Sequence, residues 1–285
     1  MRRAANVPAD ARRLLLLAAA DPTGDLALVS RAAERLGING STAQALGSEG
    51  LLDLHAGVVF RHPLARSAVY RAATEDERSA AHGVLADATD PETDPDRRAW
   101  HRAQATLMPD EDVAAELDRS AARAQARGGF AAAAAFLERS SVLTLDPVRR
   151  ARRELAAAQA KYEVGAFDEA VMLAANAEAG PLDRAQRAEL DLLRARISFA
   201  EERGNQAPGL LLNAAKDFEP LDARRAREIY LEALSASVFA GRLAEGRGAR
   251  EVAAAARALP EPPAPFGAAD PVSYTHLTLP TKLEV

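Results

Sequence analysis

Four glycines, Gly128, Gly165, Gly204 and Gly241, stand 37, 39 and 37 residues apart in this chain. Each separates two stretches whose apolar residues recur at helical spacing. Leu155, Ala158 and Tyr162 precede Gly165; Leu190, Leu193 and Ile197 precede Gly204; Tyr230, Leu234 and Val238 precede Gly241. Such a period predicts an array of helix pairs, because one pair cannot bury its apolar face alone and must stack on the next. The turn itself recurs, as GGFAAA from Gly128, GAFDEA from Gly165 and a weaker GRLAEG from Gly241, whereas GNQAPG from Gly204 departs from it. The glycine lets one helix end. Phe130 or Phe167, two residues on, is expected to plug the gap between the paired helices, and an alanine such as Ala170 to let the second helix sit close.

Composition agrees with an all-helical chain. Hydrophobic residues make up 48% of the 285 but aromatic ones only 5%, and alanine supplies much of the difference. Alanine has the best intrinsic helix propensity and permits thin packing layers. With no cysteine there are no disulfides and no thiolate metal sites or nucleophiles, which suits a reducing cytoplasm. A net charge of −5 offers no overall footprint for nucleic acid. No apolar run reaches the roughly 20 residues a bilayer span needs. The opening MRRAANVPADARRLLLLAAADP predicts a buried first helix and not a signal peptide. Arg12 and Arg13 interrupt the approach to its apolar core, and Asp21-Pro22 stands where a small-residue cleavage site belongs.

The first 90 residues read as three short helices and a hairpin. Asp10 is the expected N-cap of a helix through Ala20, with Leu14, Leu17 and Ala18 on one face. Asp25 caps a second helix carrying Leu28, Val29, Ala32 and Leu36, ended by Gly37. Ser41 or Thr42 opens a third, Ala43 to Glu49, closed by Gly50. Leu51–His55 and Val58–Arg61 then form strands around a tight glycine turn. That order is the order of a winged helix-turn-helix. Its third helix holds Gln44 and Glu49 but no Arg or Lys, so it lacks the cations a major-groove reader needs, and no direct nucleic-acid contact is expected. Pro63 opens a helix to Ala73, and Thr74 with Glu77 has capping-box spacing for another through Ala88. A connector, TDPETDPDRR over 89–98, marks the expected boundary, and Trp100 and His101 begin the next helix.

No catalytic constellation is visible. There is no G-x-x-x-x-G-K-[ST], H-E-x-x-H or G-x-S-x-G, so the chain is expected not to be an enzyme and to hold no cofactor or metal of its own. Arg149, Arg150, Arg152 and Arg153 are read as a solvated face, and Asp217, Glu219 and Asp222 as a polar loop around Pro220.

Two resemblances sharpen these expectations. The turn GAFDEA, with Ala170 and Ala177 seven apart and Asp146-Pro147 closing the first unit, resembles the tetratricopeptide-repeat turn. FRHPLARSAVY (60–70), DERSAAHGVLADA (76–88) and DPDRRAWHRA (94–103), joined to the helix-pair array, resemble the middle of the large LuxR-type regulators that carry an AAA-like ATPase, the signal-transduction ATPases with numerous domains. The resemblance covers residues 1 to about 260. It implies a mainly α fold: a winged-helix domain with following helices at 1–90, and an α-solenoid of tetratricopeptide-like hairpins at 99–260. It further implies a cytoplasmic fragment of an ATP-dependent transcriptional regulator, with the nucleotide-binding domain of the same parent as a partner. ATP or ADP belongs to that parent, and an unknown protein or small-molecule inducer to the helical arm. His62, preceded by Arg61 and followed by Pro63, matches the place where such regulators set a histidine against bound ADP. The alternative is a freestanding helical-repeat adaptor for a protein partner. The tail at 261–285 is expected to contribute nothing to the fold, and its segment from Ser273 to Val285 resembles translated sequencing-adapter read-through.

Overall fold

The computed structural model describes residues 8–48, 50–53, 57–202, 206–240 and 249–258, and these are almost entirely helical. They fall into two compact units, 1–145 and 146–285. Glu49, residues 54–56, Gly204, Gly241 and the tail lie outside the described residues.

In the first unit the hub is α1 (Ala9–Ala20), against which α2 (Leu26–Arg35), α3 (Gly40–Ser48), α4 (Pro63–Ala72) and α5 (Glu75–Ala88) all pack. Three expectations fail here. Every residue from Leu14 to Ala20 is buried, so α1 has no single apolar face: neighbours cover it all round. Pro8, not Asp10, holds the N-cap position, and Asp10 lies in the first turn, where its charge favours the helix N-terminus. Asp25 does cap α2, accepting from the backbone N–H of Ala27 and Leu28. Leu36, expected on the buried face, is the exposed C-cap residue.

A two-stranded antiparallel ribbon follows, β1 (Leu52–Asp53) and β2 (Val59–Phe60), with Leu52 opposite Phe60 and Asp53 opposite Val59. Leu51, Val58 and Arg61, expected in the strands, lie outside them. The ribbon's position is set by a contact at the α1–α2 turn, where the Val58 N–H donates to Gly24 O at 2.8 Å. Gly24 has φ +66° and Gly57 φ +138°, and a Cβ on either would come within 2.9 Å of a carbonyl oxygen, that of Val58 or that of Gly24. Only glycine fits this crossing.

Beyond the ribbon, α5 opens with the expected capping box, Glu77 N–H to Thr74 Oγ1 and Thr74 N–H to Glu77 Oε2. The connector at 89–98 lies inside the first unit, not at its edge. It leads into α6 (Pro95–Ala105), where Trp100 and His101 are mid-helix. α7 (Glu111–Ala126) and α8 (Phe130–Val142) complete the unit as a helix pair. Three arginines close the carboxyl ends of other helices: Arg66 Nε donates to Ala19 O at 3.0 Å, Arg31 Nε to Ala88 O at 3.1 Å, and Arg139 to Ala103 O and Thr106 O. Cationic donors there satisfy orphan carbonyls and complement the dipole.

The second unit begins with α9 (Pro147–Glu163), N-capped by Asp146, so Asp146-Pro147 opens a helix. α10 (Phe167–Ala179), α11 (Arg184–Glu202), α12 (Ala207–Phe218), α13 (Ala223–Ala240) and α14 (Ala249–Arg257) follow, consecutive helices packing on one another. α11 is shared between two apolar clusters. Leu190, Leu193 and Ile197 join α9 and α10, while Ala188, Leu192 and Ala195 join α12 and α13. A helix with two buried faces is what serial stacking requires. Arg149, Arg150 and Arg152 are exposed as expected of a solvated face, but Arg153 is only 3% exposed and leaves it. Glu219 is not merely a loop carboxylate, since it accepts the hydroxyl proton of the buried Tyr230. Val238 is 71% exposed and leaves the expected Tyr230–Leu234–Val238 stripe.

The turns at Gly128 and Gly165 agree hydrogen bond for hydrogen bond. Gly129 N–H reaches Ala124 O at 2.8 Å and Gly128 N–H reaches Gln125 O at 2.9 Å; 37 residues later Ala166 N–H reaches Lys161 O at 3.0 Å and Gly165 N–H reaches Tyr162 O at 2.9 Å. Both central glycines have φ +75°. This is the Schellman ending, which needs the left-handed conformation at that one residue. Five residues beyond each glycine, Ala133 and Ala170 are fully buried; seven further on, so are Ser140 and Ala177. The aromatic position differs. Phe167 packs beside Tyr162, ring centroids 5.8 Å apart, whereas Phe130 is 39% exposed and does not plug its gap. Phe136 instead meets Trp100 edge-on at 5.9 Å.

Candidate functional site

α4 has a chemically distinct group at each end. At its start His62 occupies the N-cap position, with extended backbone and no capping bond from its side chain. Pro63 follows at the first helical turn, where a missing N–H is tolerated. His62 and Arg61 are both exposed, and the Arg61 guanidinium reaches over Gly50. Leu64, 81% exposed, and the exposed Val59 flank them. On α3, Ser41, Gln44, Ala45 and Ser48 face outward without charge.

At its last turn α4 presents Tyr70, whose hydroxyl lies 2.8 Å from His82 Nε2 on α5. His82 Nδ1 lies 2.9 Å from His101 Nδ1 on α6, with ring centroids 5.1 Å apart. Three side chains thus form one line across three helices. Its proton count is fixed by the contacts. Two Nδ1 atoms share one hydrogen, so either His82 donates to His101 and accepts from Tyr70, or His101 donates to His82 and His82 donates to Tyr70. In both cases His101 Nε2 is left without a protein partner among the described residues, in a side chain 0% exposed.

Electrostatics keep the pair neutral. Burial pushes His82 down to about 4, helped by His101 and by the Arg139 guanidinium. Burial likewise pushes His101 down to about 4; Asp21 and Asp94 pull it back up and Arg97 opposes them. Around the line, Arg78 sits over the Tyr70 ring at 5.6 Å and donates to Ala73 O at 2.7 Å. The arrangement can hold or release a proton and can tie helices together. It brings no nucleophile or second base to one point.

Sequence reasoning found the two exposed residues but missed the buried line. It set His101 with Trp100 at the start of a helix, and His82 drew no notice. The available signal was only that His82 sits beside Ala81 in a stretch ending Leu85-Ala86, all three of which are buried.

In the second unit a cleft of about 340 Å³ lies among α10, α11 and α12, lined by Val171, Ile197 and Leu210 together with Arg194, Ser198 and Glu201. Arg194 forms a bidentate pair with Glu178.

Among the described residues no group of three or more His, Asp or Glu could hold a metal ion, and no helix is long and apolar enough to cross a membrane. No family model, curated protein or solved structure matches the chain.

Proposed function

We propose that this chain is the switch and sensor-arm region of an ATP-dependent LuxR-type transcriptional regulator. On this reading residues up to Phe60 form a winged helix, α4 and α5 follow it, and the later helices form a tetratricopeptide-like arm that receives a protein or small-molecule inducer. The parent's nucleotide-binding domain, and not this chain, carries ATP or ADP and the hydrolytic chemistry. ADP holds the switch closed, and a signal on the arm releases it.

The observation that carries the reading is the crossing of Val58 over Gly24. It lays the turn between the first two helices beside the ribbon, and the ribbon then hands the chain to a helix headed by an exposed histidine. A helix N-terminus with a nearby imidazole and guanidinium favours an anion such as a nucleotide phosphate. The uncharged outer face of α3 favours a protein surface over DNA as its neighbour.

The test uses the coding sequence in frame upstream of Met1. The reading expects a P-loop domain there; joined to this chain it should retain ADP, and His62→Ala should weaken that retention about tenfold and raise basal activity. Absence of an in-frame P-loop, or unchanged ADP affinity in the variant, overturns it. The cleft among α10–α12 favours one alternative, a freestanding helical-repeat adaptor for a protein partner, which the same upstream sequence distinguishes.

A further inference from the structure

Tyr70, His82 and His101 belong neither to the anion-facing end of α4 nor to the cleft of the second unit. They join the last turn of α4 to α5 and to α6, the helix from which the array departs. We propose that this line is a proton-released joint: with both rings neutral it clamps α4, α5 and α6, and on proton uptake it lets α6 part from α4 and α5.

The geometry sets the stoichiometry. One added proton can be accommodated as His82 with both ring nitrogens protonated, donating to His101 Nδ1 and to the Tyr70 hydroxyl. That places a full positive charge in the interior near Arg139, with Arg78 already over the Tyr70 ring. A second proton puts two N–H groups against each other across 2.9 Å, with no lone pair between them, and the rings must separate. The groups facing the pair do not relieve this. Arg139 of α8 opposes charge on His82. Toward His101 the carboxylates Asp21, beyond α1, and Asp94, capping α6, are offset by Arg97. Asp21 is already engaged by Thr23 Oγ1 at 2.8 Å and by the Asp25 N–H at 3.2 Å. Among the described residues His101 Nε2 has no acceptor for an N–H.

The joint does not depend on the nucleotide reading, and its test needs no nucleotide. The sign is that of a buried neutral base. Folded rings near 4 and unfolded rings at 6.5 mean that the clamp is complete above pH 6.5 and weakens as pH falls toward 4. Amide hydrogen exchange of the full chain, corrected for intrinsic rates, should therefore show protection in α4–α6 falling by about tenfold per pH unit for each proton taken up. Protection in α9–α13 should hold over the same range, since Glu154 and Asp191 there are raised by burial and are relieved by acid. The double variant His82→Gln, His101→Gln should lose the acid-dependent fall. Should that variant not fold, ring-nitrogen NMR shifts of the native chain decide the matter. In the native chain both rings must stay neutral down to about pH 5, over a range in which α4–α6 protection is already falling. Rings that titrate near 6.5 while protection is unchanged, or a fall that survives in the double variant, overturn the proposal.

Discussion

The Arg97 guanidinium on α6 donates to Asp25 at 2.9 Å, joining residues 72 positions apart across the N-cap of α2. Asp25 therefore does two things at once, since it also accepts from the Ala27 and Leu28 N–H groups. Those bonds, that to Leu28 first, hold its carboxyl below the ordinary 3.8.

Asp25→Ala is expected to lose both roles, costing about 1–2 kcal/mol in urea unfolding. Arg97→Ala leaves the cap and removes two partly exposed ion pairs, to Asp25 and to Asp94, and should cost about 0.5–1 kcal/mol. Because the Asp25 carboxyl is depressed, its contribution is present above pH 3.8 and lost as pH falls through the folded value, below the range in which the histidines titrate. Equal costs for the two variants would show that the cap is not the larger part.

Gly165→Ala and Gly180→Ala are expected to destabilise for different reasons. At Gly165 nothing lies within 4 Å of an added Cβ, and the cost is that of φ +75°, about 1 kcal/mol. At Gly180 the backbone is ordinary, but an added Cβ would stand 2.6 Å from Ala151 Cβ. Asparagine, which tolerates the left-handed region, should recover part of the loss at 165 and deepen it at 180. Thermal melts of the four variants separate the two mechanisms.

Tyr230→Phe tests the alkaline limb of stability. Burial first, then the bond to Glu219, raises the phenol above its ordinary 10.0. A folded value above the unfolded one means that the contribution is whole below pH 10 and declines as pH rises beyond it. The variant should lose about 1 kcal/mol at neutral pH and show a flatter decline above pH 10 in denaturant titrations.

Random duplex DNA at low salt should not bind the full chain at micromolar concentration, because the outward side of α3 offers no cation. Fluorescence anisotropy measures this directly. Micromolar binding would return the first three helices and ribbon to the class of DNA readers.

The parts of the fold legible in the sequence are those with a strict local requirement. A left-handed helix ending needs glycine, so Gly128 and Gly165 announced their turns. A carboxylate or hydroxyl before a helix has a backbone donor to meet, so Asp25 and Thr74 announced their caps. Gly24 and Gly57 could not be paired from sequence, because each is needed only once the other's backbone has arrived. Burial assigned by neighbours was equally hidden. Arg153 lies in a run of arginines yet is enclosed, and Phe130 stands in the motif position of Phe167 yet faces outward. The pair at 61–62 could be named through a family resemblance that its place between a strand and a helix carries. The imidazole pair could not, since its partners are 19 residues apart and come from separate helices.

The arginine closures described for α1, α5 and α6 have a bearing on how the first unit comes apart. Ala19 O and Ala88 O are each met by an arginine from another helix, and at the end of α6 Arg139 joins the Thr106 N–H on Ala103 O. Peeling one segment away strands acceptors on another, so fraying from an end brings little relief and much exposure of unsatisfied backbone. Above pH 6.5, where the imidazole joint is closed, residues 8–145 should accordingly melt in a single concerted step, and proteolytic trimming to a shorter core within that span should yield no stable product.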